Sequence, residues 1–256
     1  MFESAIGEGV AVVTLCRPPV NAISEEWGTE FDSLLDQLEA RDDWNVLHLR
    51  SNQKVFAAGA DLAQIQSWIG AERPGAVLAG YIARLQRVYR RLESLSRVTL
   101  AEIGGAALGG GLELALACDL RIAAQDIKIG LPEVGIGLIP GLGGTQRLTR
   151  LVGRGTASRM ILTADPVTGE AAERLGVVQW AVPKADLEAE ATRIARRLGG
   201  LPLPALKVAK ELIASQGAGH DAGYAMEREL GGALLSTREA QERITSFINK
   251  SQKPRD

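Results

Sequence analysis

Apolar positions in the first part of the chain alternate between short β-rich runs and longer stretches with helical spacing. The run Val10–Cys16 is followed by a Pro-Pro turn and by the amphipathic stretch Glu25–Glu39, which begins after Ser24, a favourable N-cap residue. The same order returns with a strand at Val46–Arg50 and a helix within Val77–Leu95. These positions predict units in which a strand is followed by a helix.

A third unit occupies the glycine-rich middle of the chain. Strands are predicted at Thr99–Ile103 and Leu120–Ala124, and a glycine loop and the short apolar helix Leu112–Ala117 lie between them. A second glycine loop, Gly135–Gly144, precedes further helical patterns and a strand at Val177–Val182. Strands separated by helices indicate the α/β fold class, although periodicity alone leaves the topology open.

From about Lys184 to the end the chain shows only helical patterns, separated by breaks that contain glycine and proline. The sequence therefore predicts two parts. A core that carries the active site spans 1–195, and a C-terminal helical region spans 196–256.

Composition and charge narrow the class of protein. The chain has 256 residues, of which 46% are hydrophobic, and a net charge of −2, so no overall field favours nucleic acid or an anionic membrane. No apolar stretch reaches the roughly 18 residues that span a bilayer, and the amino terminus lacks a signal-peptide pattern. Cys16 and Cys118 lie among aliphatic residues, which is typical of buried thiols in a reducing compartment. We expect a cytoplasmic protein without a membrane or nucleic-acid partner.

Several kinds of catalytic site are disfavoured by the sequence. Gly135–Pro140 approaches the dinucleotide-binding fingerprint but has proline in place of its last glycine. His48 and His220 are the two histidines, and they lack the spacing of metal ligands. We therefore expect no metal site and no cofactor.

Two glutamates lie in the most glycine-rich, charge-poor part of the chain: Glu113, in the first turn of a predicted helix, and Glu133, in the following loop. A carboxylate among aliphatic residues must be paired, protonated or hydrated, because an isolated buried charge is too costly. If both carboxyls shared one water, their repulsion would keep one protonated as an acid and leave the other as a base. The alternative is a helix-terminal charge at Glu113 and a surface loop residue at Glu133.

Two loops of small residues offer backbone amides to the same region. Gly109–Gly111 directly precedes a helix, and Phe56–Asp61 precedes another segment that Asp61 could cap. Two amides from separate loops could form an oxyanion hole for a thioester carbonyl. The alternative is that these glycines only permit tight turns and close packing.

Several ordered motifs resemble those of the crotonase (enoyl-CoA hydratase/isomerase) family. They are Pro19–Ser24, Phe56–Leu62, Ala106–Asp119, Leu131–Gly135, Pro140–Leu148 and Leu203–Ala205 with the following Lys207 and Lys210. Together they extend over almost the whole chain. The sequence departs from the common pattern at Arg97–Thr99 and at Gly104, and Glu102 inside a predicted strand has no explanation from the sequence.

The resemblance implies a crotonase-like spiral of repeated ββα units, with a C-terminal helical region that builds a homotrimer or a dimer of trimers. It implies an acyl-CoA substrate, so that coenzyme A is part of the substrate and no separate cofactor is required. The backbone amides of Ala60 and Gly110 match the oxyanion hole. Glu113 and Glu133 match the two glutamates that hold the attacking water.

The resemblance also implies positions near coenzyme A and a reaction. The residues matched to coenzyme A binding are Lys54, Ala58, Gly59, Asp61 and Leu62. With both glutamates present, we expect an enoyl-CoA hydratase most like the short-chain enzymes, which adds water syn to a trans-2-enoyl-CoA. The alternatives are an enoyl-CoA isomerase, another acyl-CoA reaction of the family, or a member that binds acyl-CoA without turnover. Acyl-chain preference and pathway are not encoded in any pattern that we recognise.

Overall fold

The computed structural model describes residues 1–215 and 220–251, and its strands form two sheets with helices packed against them. The strands are β1 (Phe2–Gly7), β2 (Gly9–Leu15), β3 (Trp44–Ser51), β4 (Val98–Ile103), β5 (Ala107–Leu108), β6 (Leu120–Ala124), β7 (Lys128–Gly130), β8 (Val167–Thr168) and β9 (Trp180–Val182). The helices are α1 (Glu25–Glu39), α2 (Leu62–Trp68), α3 (Pro74–Ser94), α4 (Gly110–Leu116), α5 (Gly144–Leu162), α6 (Gly169–Arg174), α7 (Leu187–Gly199), α8 (Leu203–Ala214), α9 (His220–Leu235) and α10 (Arg238–Ser251). A 3-10 helix spans Glu133–Ile136.

The larger sheet has the strand order β1-β2-β3-β4-β6-β9. The hairpin β1-β2 is antiparallel, and the other neighbouring pairs in this sheet are parallel. Parallel neighbours require crossover connections, which are supplied here by helices and loops between the strands. The smaller sheet has the order β5-β7-β8 and begins immediately before α4.

Helix α1 shows how local sequence sets these elements. The Ser24 hydroxyl caps the helix by accepting a hydrogen bond from the Trp27 amide at 3.1 Å, and acidic residues occupy the first turn. The apolar side chains of Trp27, Phe31, Leu35 and Leu38 recur at helical spacing and are buried. The helix therefore lies with this face on the main core.

The larger sheet separates two groups of buried side chains. The main core lies between the sheet and α1, α3, α4 and α5, and a smaller cluster lies between the sheet and α7. A polar pair is buried between β3 and β4, where His48 Nε2 and Glu102 Oε2 are 2.8 Å apart. This pairing accounts for the glutamate that the sequence left unexplained inside a strand.

The predicted α/β fold class is confirmed, and several boundaries differ. The predicted glycine loop before Leu112 contains β5 and the first turn of α4, and β1, β7 and β8 were not predicted. Glu133, expected in a loop, lies in the 3-10 helix. The strand predicted at Val177–Val182 begins three residues later, at Trp180. Val177 instead lies in the turn after α6, where its amide donates a hydrogen bond to the Ala172 carbonyl.

The described residues after β9 form the helices α7 to α10, as predicted, and α8 is attached to the core by Lys210. Its ammonium donates to Asp119 Oδ2 at 2.7 Å and to the Arg97 carbonyl at 3.0 Å. No side chain of α8 is itself buried. The predicted division at residue 195 stays a prediction, and 216–219 and 252–256 lie outside the described residues. Across 1–215 and 220–251, no helix is long and apolar enough to cross a membrane.

Candidate active site

The two small-residue loops lie side by side. Ala57 and Ala107 form an isolated parallel bridge, in which the Leu108 amide donates to the Ala57 carbonyl at 3.1 Å. A Cβ atom at Gly111 would lie 2.2 Å from the same carbonyl oxygen, so only glycine fits there. The close approach brings the segment after β3 against the amino terminus of α4.

The amides of Ala60 and Gly110 lie near each other beside this contact. Ile23 bonds to the residues on both sides of Ala60, because its amide donates to Gly59 and its carbonyl accepts from Asp61, each at 2.9 Å. The Ala60 amide therefore points away from Ile23, and a Cβ atom at Gly110 would lie 3.5 Å from its nitrogen. Among the residues described, neither the Ala60 nor the Gly110 amide donates a hydrogen bond to another group of the chain. Two backbone N–H groups without an acceptor among the described residues thus lie in one small region.

Glu113 lies one turn into α4 with only 1% of its surface exposed. Its Oε1 accepts a hydrogen bond from the Gly144 amide at 2.6 Å. Burial raises the pKa of Glu113 to about 8, opposed by the Gly144 amide and reinforced by the negative charge of Glu133. A Cβ atom at Gly144 would lie 2.9 Å from this carboxyl oxygen, so glycine is needed there too.

Glu133 approaches the same region from the 3-10 helix. Its Oε1 would lie 2.7 Å from a Cβ atom on Gly109, the residue between the smaller sheet and α4. Its Oε2 is buried and has no hydrogen-bond partner among the described residues. Burial raises the pKa of Glu133 above its usual value. A buried, unpaired carboxyl oxygen of this kind is suited to hold a water or a substrate proton.

The site therefore combines two features that are useful in acyl-thioester chemistry. Two amides can hold an oxygen on which negative charge develops, and two carboxyls with raised pKa values can give and take protons nearby. The Glu113 and Glu133 carboxyls are close enough for the charge of one to affect the other. These features bring together the four residues that the sequence singled out for catalysis.

Of the residues matched to coenzyme A, Ala58, Gly59, Asp61 and Leu62 flank Ala60 in the chain, and Lys54 lies in the segment after β3. Lys54 and Ala58 are exposed, and Leu62, at the start of α2, has 59% of its surface exposed. Gly59 is buried with a positive φ of 102°, a conformation that favours glycine.

Asp61 is occupied by structural contacts. Its Oδ1 caps α2 by accepting from the amides of Ala63 and Gln64, and its Oδ2 is paired with Arg17 Nη2 at 2.8 Å. The Arg17 hydrogen bond lowers the pKa of Asp61. The cap and the ion pair leave Asp61 as a residue that holds the loop in place.

The sequence did not indicate the residues that support the backbone of this site through hydrogen bonds. Arg147, on α5, is buried, pairs with Glu93 at 2.8 Å and donates to the Leu142 carbonyl at 2.9 Å. Tyr81 and Tyr89, on α3, also bond to backbone at the site. A signal for the tyrosines exists in their spacing of eight residues, which puts both on one face of α3.

Comparisons with known proteins identify the family of the chain. The enoyl-CoA hydratase/isomerase family matches residues 5–255. The chain is 37% identical to a short-chain-enoyl-CoA hydratase of Clostridium acetobutylicum, over 94% of this chain and 92% of that protein. It is 36% identical to a crotonyl-CoA hydratase of Syntrophomonas wolfei, over 95% and 93%. A crystal structure of an enoyl-CoA hydratase from Bacillus anthracis is 31% identical with a TM-score of 0.89, covering 97% of this chain and 96% of that one.

Proposed function

The chain belongs to the enoyl-CoA hydratase/isomerase family, and from that premise we propose that it adds water to the 2,3 double bond of a trans-2-enoyl-CoA. The product is the 3-hydroxyacyl-CoA. One observation supports the proposal above all. The Glu113 and Glu133 carboxyls lie in the same region as the amides of Ala60 and Gly110, which donate to no group among the described residues.

In the proposed reaction the amides of Ala60 and Gly110 donate hydrogen bonds to the thioester oxygen. Electron density moves from the double bond towards this oxygen, which makes Cβ electrophilic. The oxygen of the water bonds to Cβ while Glu113 takes one of the water's protons. Glu133 delivers a proton to Cα on the same face of the double bond. The net change is the addition of one water, and no redox step is involved.

The two carboxyls suit these roles because their ionisation is linked. Burial, and to a smaller extent the charge of Glu133, raises the pKa of Glu113 to about 8, so near neutral pH the free pair keeps one proton, on Glu113. The proposed roles therefore require that this proton pass to Glu133 when the substrate binds, which leaves Glu113 as the base. One shared proton is what the reaction requires, since a base and an acid must be present together. Turnover should therefore fall both when the pair gains a second proton and when it loses the last one.

The rest of the substrate would bind along the Ala60 loop. We propose that Lys54, Ala58, Gly59, Asp61 and Leu62 form the coenzyme A binding segment, in which Asp61 acts by holding the loop in place. Exposure of Lys54 and Leu62 leaves them accessible to a ligand of this size. Coenzyme A enters as part of the substrate, and no further cofactor is proposed.

We also propose a homotrimer or a dimer of trimers in the cytoplasm. The exposed C-terminal helices offer apolar side chains for subunit contacts, including Ile213 with 76% and Leu235 with 59% of the surface exposed. Cys16 and Cys118 are both free thiols, which supports a reducing compartment. Light scattering coupled to size-exclusion chromatography would give the number of subunits.

The decisive experiment compares 2-enoyl-CoA with 3-enoyl-CoA substrates of four to sixteen carbons. A hydratase removes the absorbance of the conjugated 2-enoyl thioester and yields a product heavier by one water. Production of that absorbance from 3-enoyl substrates, without hydration of the 2-enoyl ones, would indicate an isomerase instead. Tight binding without either change would indicate a member that does not turn over.

A further inference from the structure

Helix α3 donates three neutral hydrogen bonds to backbone carbonyls of the site. Tyr81 Oη donates to the Ile23 carbonyl at 2.7 Å, and Tyr89 Oη donates to the Gly110 carbonyl at 3.0 Å. Gln86 Nε2, between them, donates to the Gly141 carbonyl at 2.7 Å. One helix thus contacts three segments that are distant in sequence.

The bond from Tyr81 acts on the segment that carries the Ala60 amide. Its acceptor, the Ile23 carbonyl, also accepts from the Asp61 amide, while the Ile23 amide donates to the Gly59 carbonyl. Ile23 therefore fixes the peptide groups on both sides of Ala60. A change in the position of Ile23 would move the Ala60 amide with it.

The bond from Tyr89 acts on the other donor segment. Its acceptor is the carbonyl of Gly110, the same residue whose amide is unspent. Glycine lacks a side chain that could pack against neighbours and fix its peptide planes, so an external hydrogen bond has more to restrain there. Tyr89 is fully buried, and its ring lies edge-on to Trp27 at 6.3 Å between centroids.

Both hydroxyls are dependable donors. Burial is the main cause that raises the pKa of Tyr81 and of Tyr89 well above the ordinary value, so both stay protonated at any working pH. The Tyr81 ring, 2% exposed as a residue, lies 5.4 Å from the ring of Trp68 on α2. Packing around each ring limits the positions that its hydroxyl can take.

We propose that Tyr81 and Tyr89 are positioning residues that set the relative placement of the Ala60 and Gly110 amides, and so the polarisation of a bound thioester carbonyl. This inference rests on the proposed function, because it requires that the two amides bind that oxygen. Neither hydroxyl touches the substrate. Each acts through the carbonyl that it holds.

The test uses Tyr81→Phe, Tyr89→Phe and the double variant, each of which removes only a hydroxyl. The probe is cinnamoyl-CoA, whose absorption moves to longer wavelength when its carbonyl accepts hydrogen bonds. We expect a smaller shift in each single variant and the smallest in the double variant. With a 2-enoyl-CoA substrate, kcat should fall about tenfold while KM stays nearly constant. This loss is smaller than the roughly 10²–10³-fold loss of kcat on removal of one oxyanion-hole donor, because the donor is only displaced.

Two controls separate positioning from loss of stability. Gln86→Met removes a hydrogen bond from the same helix to a segment without an oxyanion donor, and the cinnamoyl shift should stay at the wild-type value. Phe31→Leu weakens the aromatic core beside Trp27, and at a temperature below unfolding it should leave the shift unchanged. If Tyr89→Phe does not fold, Tyr81→Phe alone carries the test.

The outcomes distinguish the two proposals. A wild-type shift that both Phe variants retain in full would overturn the positioning role and leave the proposed function standing. An equal decrease in the Gln86→Met control would also overturn it, because the effect would then belong to the helix as a whole. No shift in the wild-type protein would overturn the oxyanion hole and the positioning role together.

Discussion

The two glutamates lie in regions of very different construction. Glu113 belongs to α4, which is buried along its length, and its Oε1 is held by the Gly144 amide. Glu133 belongs to a single 3-10 turn whose last residue, Ile136, is exposed, and Ile139 beyond the turn is exposed too. The Oε2 atom of Glu133 has no hydrogen-bond partner in the described part of the chain. The core holds one carboxyl, whereas the other stands on a short turn near the surface.

This difference suits two different tasks in the proposed reaction. A base that must activate one water gains from fixed geometry, because a misplaced group loses much of its effect. An acid must recover its proton after each turnover, which a position on a less buried turn favours. The comparison therefore predicts that changes to the two regions have separable effects on turnover and stability.

The largest expected effect is on turnover. Glu113→Gln and Glu133→Gln should each lower kcat by at least about 10²-fold, the lower range for loss of general acid–base catalysis. Steady-state hydration of a 2-enoyl-CoA measures this. The matched control is Glu102→Gln, which changes a buried glutamate paired with His48 and should keep kcat within a factor of about two of the wild-type value. Near-normal turnover in either site variant would contradict the assigned role.

The second effect is on the pH dependence of stability and should be largest for Glu113, the more deeply buried of the two glutamates. Its pKa is about 8 in the folded state against 4.5 as the reference value, so the folded protein binds more protons between these values and loses stability as pH rises. Glu113→Gln should remove this loss. Between pH 5 and 7.5 the wild-type free energy of unfolding should fall by about 3 kcal/mol more than that of the variant.

Urea unfolding at the two pH values measures this difference. A Glu113→Gln variant whose stability falls with pH as steeply as the wild type would show that the buried carboxyl ionises without cost.

The smallest expected effect sharpens the comparison at the Glu133 side. Gly109→Ala puts a Cβ atom 2.7 Å from Glu133 Oε1, at a residue with φ of 52°. Gly137→Ala places alanine at a φ of 78° with no atom within 4 Å of the new Cβ. Both should lose about 1 kcal/mol or more of stability from backbone strain, but only Gly109→Ala should also lower kcat, by about tenfold. Equal losses of turnover in the two variants would show that strain alone is responsible.

Much of the frame could be predicted from the sequence, because the strongest signals are local. Helix α1 has the predicted bounds, since Ser24, the acidic first turn and the spacing of Trp27 and Phe31 all agree. The strands β7 and β8 have three and two residues and too few positions to show a period. β1 alternates weakly because most of its side chains are partly or fully exposed.

The candidate site shows the same limit. The glycines and glutamates stand out because their residue types are unusual in their surroundings. The partner of Glu113, the Gly144 amide, is 31 residues away and belongs to the backbone, which no residue type announces. Likewise, His48 and Glu102 are 54 residues apart, and only the pairing of β3 with β4 brings them together.

The amides of Ala60 and Gly110 belong to the main chain, so among the standard residues only proline at either position would delete a donor. The carboxyls sit on two other segments and can be exchanged one at a time. In the proposed mechanism, the groups that activate the acyl thioester thus lie on different segments from the groups that move protons. Substitution of a single glutamate could therefore change the reaction, while the two amides that make the substrate electrophilic stay in place.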